Sequence, residues 1–145
     1  MRVYFDTSVL VAALLENHPH HGPARSALLL AKRKGVVAAV GAHGLAELYA
    51  VLTRAPFTPR IFPSEARQLI EAGILPLVEV VALSAAEYRQ VIHDCALEGW
   101  TGGAVYDAIH IRAARKHRCE RLYTLNVAHF RALAADDLRR WVTAP

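Results

Sequence analysis

A few side chains in this sequence stand where chemistry could be done: Asp6, Glu47, Asp107, and the pair Thr124 and Asn126. Asp6 closes Arg2-Val3-Tyr4-Phe5, a short run of strand formers, and is followed by Thr7 and Ser8, either of which can cap a helix. Open α/β sheets place catalytic groups at the carboxyl end of a strand beside a helix N-terminus, and with Thr7 or Ser8 available as cap, Asp6 is free for that work. Glu47 lies beside an apolar helical stripe and, taken alone, reads as a surface glutamate. His43, four residues earlier, shares its face, either supporting the carboxylate or sitting on the surface at a helix start. Asp107, in Tyr106-Asp107-Ala108-Ile109-His110, falls in the first turn of a helix, where the macrodipole favours an acid whether or not it has a function. His110 reads as a structural or solvent-facing histidine and is kept out of the ligand set. Asn126 follows Leu122-Tyr123-Thr124-Leu125, where an Asn serves as a turn residue or, with Thr124, orients a water on a metal ion.

The elements that must hold these residues alternate between strand and helix. Strands are expected at Arg2–Asp6, Val36–Val40, Val78–Leu83 and Arg121–Leu125, with a further one at Trp141–Thr143. Helices are expected over Val9–Leu15, Gly22–Lys34, Ala42–Arg54, from Pro63 and Ser64 onward, after Ser84, over Val105–Lys116 and over Ala128–Ala134. Leu45, Leu48, Tyr49 and Leu52 form one amphipathic stripe, and Tyr88, Val91, Ile92 and Cys95 another. Ser84 followed three residues on by Glu87 is a capping box. The alternation implies an α/β domain with a mostly parallel central sheet, and a chain of 145 residues suits a single domain, 1–145.

Composition excludes several classes. Hydrophobic residues make up 54% and charged residues 21%, so the chain can bury a core and is not disordered. No apolar run reaches a bilayer-spanning length, and Asp6 comes too early for a signal peptide, so the chain reads as soluble and cytoplasmic, with no membrane partner. Cys95 and Cys119 read as free thiols, and the His18, His20, His21 loop reads as solvated, lacking a Cys or carboxylate at zinc-ligand spacing. The net charge of +4 suits a nucleic-acid partner without requiring one. Its basic clusters, Lys32-Arg33-Lys34 and Arg112, Arg115, Lys116, Arg118, Arg121, serve either as solvated helix ends or as phosphate contacts. There is no GxSxG, P-loop or dinucleotide fingerprint.

Taken together, four segments in this order resemble the PIN-domain family: Asp6-Thr7-Ser8-Val9-Leu10, Ala46-Glu47-Leu48-Tyr49-Ala50-Val51-Leu52-Thr53-Arg54, Tyr106 to Ala114, and Leu122-Tyr123-Thr124-Leu125-Asn126 with His129-Phe130 after it. The resemblance, closest to VapC-like toxin ribonucleases, spans nearly the whole chain. It implies a three-layer sandwich, a mostly parallel sheet flanked by helices. It implies an endoribonuclease that depends on Mg²⁺ or Mn²⁺, the toxin of a toxin–antitoxin pair, with RNA as substrate, an antitoxin protein as partner and a homodimer as its assembly. Carried over residue by residue, Asp6, Glu47 and Asp107 become metal ligands. The family's fourth acidic position falls on Asn126, which leaves a second metal without its carboxylate.

Elementary electrostatics agrees with an ion. At an effective dielectric of about 20, two carboxylates about 5 Å apart repel by roughly 3 kcal/mol. Three that converge need a cation or must hold protons, and an all-oxygen set selects a hard ion. Two alternatives stay open: a housekeeping RNA-processing nuclease and a non-catalytic RNA- or protein-binding module. A phosphotransferase with Asp6 as nucleophile fits less well, because Ser8 stands where a second Asp would handle the leaving group's proton.

Overall fold

The structure, a computed structural model, describes every residue except Ala55. Its elements run β1 (Arg2–Phe5), α1 (Thr7–Leu14), α2 (His21–Leu29), β2 (Val37–Gly41), α3 (Ala42–Arg54), α4 (Pro63–Gly73), β3 (Glu79–Val81), α5 (Ala85–Glu98), α6 (Ala104–Lys116), β4 (Arg121–Tyr123), α7 (Val127–Leu133), α8 (Asp136–Arg139) and β5 (Val142–Thr143). The strands form one parallel sheet in the order β3-β2-β1-β4-β5. The chain builds outward from β1 through β2 to β3, then returns to the other side of β1 for β4. The order therefore reverses between β1 and β4, and a crevice opens at their carboxyl ends.

Side-chain alternation assigns the two faces. Val3 and Phe5 of β1, Ala38 and Val40 of β2, and Tyr123 of β4 join the core packed by α1 to α4. Tyr4, Ala39, Leu122 and Val142 face the opposite core, under α6, α7 and α8. The result is the expected three-layer α/β/α sandwich. Helix α5 lies outside these layers and packs on α6, through Val91 and Cys95 against Ala108 and Ile109. This is why the stripe expected on α5 is only half used: Ile92 is 60% exposed. On α3, Leu48 and Leu52 are buried while Tyr49 stays exposed.

Several expected boundaries shift. Helix α1 begins at Thr7, so Asp6 itself occupies the cap position and neither Thr7 nor Ser8 caps the helix. Helix α2 gives way to a 3-10 turn at Leu30–Lys32 and does not continue to Lys34. Strands β3 and β4 are shorter than the apolar runs that signalled them. The Ser84–Glu87 capping box is present with both bonds. Cys95 and Cys119 are free and buried, burial pushing the Cys119 thiol up to about 11. Among the described residues, no helix is long and apolar enough to cross a membrane.

Candidate active site

The sheet delivers Asp6 to the switch point. β1 ends at Phe5, and the Asp6 backbone N–H donates to Tyr123 O of β4, pinning the residue between the two strands. Its side chain makes no cap bond. Instead Oδ2 accepts from the Ser8 hydroxyl at 2.6 Å and from the Thr124 hydroxyl at 2.8 Å. Those hydroxyls accept in turn from backbone: Leu125 N–H donates to Ser8 Oγ and Asn126 N–H donates to Thr124 Oγ1, both at 3.0 Å. Such chained bonds strengthen one another in a dry interior. One Asp6 oxygen is thus saturated and fixed, while Oδ1 turns toward His110, 3.7 Å from its Nε2.

Thr124 is wholly buried and donates its hydroxyl to the Asp6 carboxylate. Asn126 sits exposed at the start of α7, and its side chain makes no cap bond.

Glu47 reaches the site from α3, and its partner is the residue the sequence reading set aside. His110, 1% exposed, places Nε2 2.9 Å from Glu47 Oε1. A carboxylate can only accept, so this nitrogen carries a hydrogen. On the other side of the ring, Nδ1 lies 2.9 Å from the buried Tyr4 hydroxyl, and Thr7 Oγ1 is 3.3 Å from Nε2. Burial works to lower the His110 pKa, but the Glu47 hydrogen bond and the charges of Asp6, Glu47 and Asp107 outweigh it and raise the value. The hub needs room that only glycine leaves. A Cβ at Gly44 would stand 2.9 Å from His110 Cε1, and one at Gly41 2.5 Å from the Tyr4 hydroxyl.

Asp107 comes from the first turn of α6. Burial, then the charge of Asp6, raises its carboxyl pKa, against the opposing pull of His129 and His110. His129 Nδ1 stands 2.7 Å from Asp107 Oδ2. His43 Nε2 lies 3.1 Å from Glu47 Oε1 but is not aligned to bond it, leaving a buried ring nitrogen without a partner.

The three acids therefore come to one end of the sheet, each acid facing a histidine. Among the described residues, no three His, Cys, Asp or Glu side chains are gathered closely enough to hold an ion as they stand. The donor chemistry nonetheless fits a hard dication. The anionic crowding felt by Asp107 is the kind a cation relieves, and histidines fill that role here. Two members of the second basic cluster are engaged elsewhere. Arg115 pairs with Asp137, and Lys116 with Glu87, at the far end of α6 from Asp107.

Comparison with known proteins bears on the same residues. The sequence pattern of the PIN domain matches residues 3–135. The chain belongs to the PIN-domain family. A curated PIN relative, ribonuclease VapC27 of Mycobacterium tuberculosis, is 38% identical over 116 residues, covering 79% of this chain and 78% of the relative. Among solved structures, VapC20 of M. tuberculosis, a sarcin-ricin loop cleaving toxin, superposes with a TM-score of 0.71 at 19% identity, over 92% of this chain and 97% of that one. VapBC2 of Rickettsia felis, bound to a DNA fragment from their promoter, gives 0.65 at 18%, over 99% and 98%. At those identities the structures speak for the PIN fold alone.

What the sequence reading missed in this PIN domain is the supporting set: Tyr4, Ser8, His110 and His129. His110 lies between Ile109 and Ile111, both core residues, and Gly44 leaves the niche its ring fills.

Proposed function

We propose that this PIN domain, residues 1–145 as one unit, is an endoribonuclease that hydrolyses RNA phosphodiester bonds, acting as the toxin of a toxin–antitoxin pair. The observation that carries the reading is Asp6. It stands at the switch point with Oδ2 saturated by the Ser8 and Thr124 hydroxyls and Oδ1 left toward His110, close enough to Asp107 for its charge to raise that carboxyl's pKa. A carboxylate needed only for folding has no use for such one-sided fixation.

Asp6, Glu47 and Asp107 would hold one Mg²⁺ or Mn²⁺, with Asn126 offering at most a neutral carbonyl. The chemistry such an ion supplies is activation of water, orientation of the phosphate and stabilisation of the leaving oxygen. Thr124 and Ser8 hold the Asp6 carboxylate in one rotamer. His110 fixes Glu47 relative to Asp6 and supplies positive charge between them. His129 meets Asp107 from the exposed side, with Nδ1 2.7 Å from Oδ2.

Likeness to ribonuclease VapC27 at 38% identity supports RNA as the substrate class, and the antitoxin partner is carried over from the resemblance to VapC-like toxins. The setting is cytoplasmic, and the assembly a homodimer. Purified protein should cut RNA with Mg²⁺ or Mn²⁺ and stop with EDTA. Expressed without its antitoxin it should arrest growth, and Asp6→Asn should not. Vigorous growth with soluble wild-type protein that cuts RNA in vitro would favour the housekeeping reading.

A further inference from the structure

Tyr106 precedes Asp107 on α6 and leaves 49% of its surface exposed beside the site. Its ring stacks nearly parallel to that of His43 of α3, at an angle of 11° and a centroid distance of 5.2 Å. His43 in turn meets the buried His110 edge-on, at 6.4 Å and 67°. The three rings form a stack anchored in the core hub and ending at solvent. Its position is specific, because His43 adjoins Glu47 and Tyr106 adjoins Asp107. Neighbouring Gly102 and Gly103 leave the approach open, since a Cβ at either would meet nothing within 4 Å.

Resting on the reading of the site as a ribonuclease, we propose that Tyr106, backed by His43, is a stacking platform for an unpaired base next to the scissile phosphate. Without a bound ion the three acids repel the RNA backbone, and Arg115 and Lys116 are paired elsewhere. Holding the substrate there calls for a contact indifferent to charge, and a base stacked on an aromatic ring is such a contact. The platform selects single-stranded RNA, because a base inside a duplex has no free face to offer.

The test uses the full chain in EDTA, so that nothing is cut, and a hairpin RNA with 2-aminopurine in its loop. Wild type, Tyr106→Phe and Tyr106→Trp should bind alike and change the probe's fluorescence. Tyr106→Ala should bind about 5- to 150-fold more weakly, the range for loss of one stacked base, by the same factor at low and high salt. In a cleavage assay with Mn²⁺, an abasic nucleotide beside the cut and Tyr106→Ala should each slow the reaction, and together no more than either alone. Undiminished binding by Tyr106→Ala, with wild type still cutting RNA, would overturn the platform and leave the nuclease standing. So would dissociation of a dimer by Tyr106→Ala, which would make the ring an interface residue. Failure of wild type to cut any RNA would remove both.

Discussion

Helix α6 and its C-terminal cap carry two buried histidines, His110 and His117, seven residues apart, and their surroundings differ. His110, toward the carboxyl ends of the strands, faces Glu47 and Asp6, and its pKa is raised. His117, toward the amino ends, meets Arg2 of β1. Arg2 Nη2 lies 3.0 Å from its Nδ1, and Arg2 Nε donates to its backbone carbonyl at 2.6 Å. Burial, then the Arg2 charge, lowers the pKa of His117. The same residue type, buried at the two ends of one helix, meets acids that favour its protonation at one end and a guanidinium that opposes it at the other. Acids crowd the ring at the end where the strand order reverses, whereas at the other end Arg2 meets both the ring and Glu79.

The largest effect expected from breaking this asymmetry is at the acids. Asp6→Asn and Asp107→Asn, and Glu47→Gln, should each abolish RNA cleavage with the fold intact, as judged by circular dichroism and thermal melting. For Asp107 the sign of the stability change follows from its raised pKa. Any stability linked to that carboxyl is full below the ordinary carboxylate range and lost as pH rises through the raised value. At neutral pH without metal, Asp107→Asn should therefore melt at the same temperature as wild type or higher.

His110 and His117 should separate next. His110→Gln removes the group that spaces Glu47 from Asp6. It should weaken Mn²⁺ binding, measured by calorimetry, about 10- to 100-fold, as loss of a supporting partner does. His110→Ala should also destabilise, leaving the buried Tyr4 hydroxyl unpaired at about 1–3 kcal/mol. His117→Gln should leave cleavage unchanged.

A smaller effect distinguishes the two by pH. Because the His117 pKa is lowered, the stability it contributes is full above the usual imidazole value of 6.5 and is lost as pH falls through the folded value. Urea midpoints of wild type should thus fall more steeply than those of His117→Gln as pH drops below about 6.5. Equal slopes would show that Arg2 does not oppose the ring's protonation. The smallest effect is expected at Asn126. Asn126→Ala should slow cleavage far less than Asp6→Asn, since no hydrogen bond of its side chain joins it to the acids.

Much of the fold was legible because its signals are local. The span of α3 follows from Ala42 to Arg54 as its periodicity implies, and the Ser84–Glu87 box sits where its residue types put it. The acids were legible only jointly, since Glu47 alone is an ordinary helical glutamate. The histidine hub was not legible because its contacts are long-range: His110 finds Tyr4 across 106 residues and Glu47 across 63. A single histidine flanked by isoleucines gives no sign of which polar groups tertiary packing will bring to it. The cap at Asp6 was misassigned for a related reason. The hydroxyls of Thr7 and Ser8 suit capping, but Ser8 is drawn to the carboxylate by Leu125 arriving from β4.

The central claim is that the acids at the switch point hold one divalent ion. Titration calorimetry of Mn²⁺ into RNA-free wild-type protein tests it most directly, with Asp6→Asn and His117→Gln alongside. One site in wild type and in His117→Gln, lost in Asp6→Asn, is the predicted result. Binding that survives Asp6→Asn unchanged, or two tight sites in wild type, would contradict the assignment.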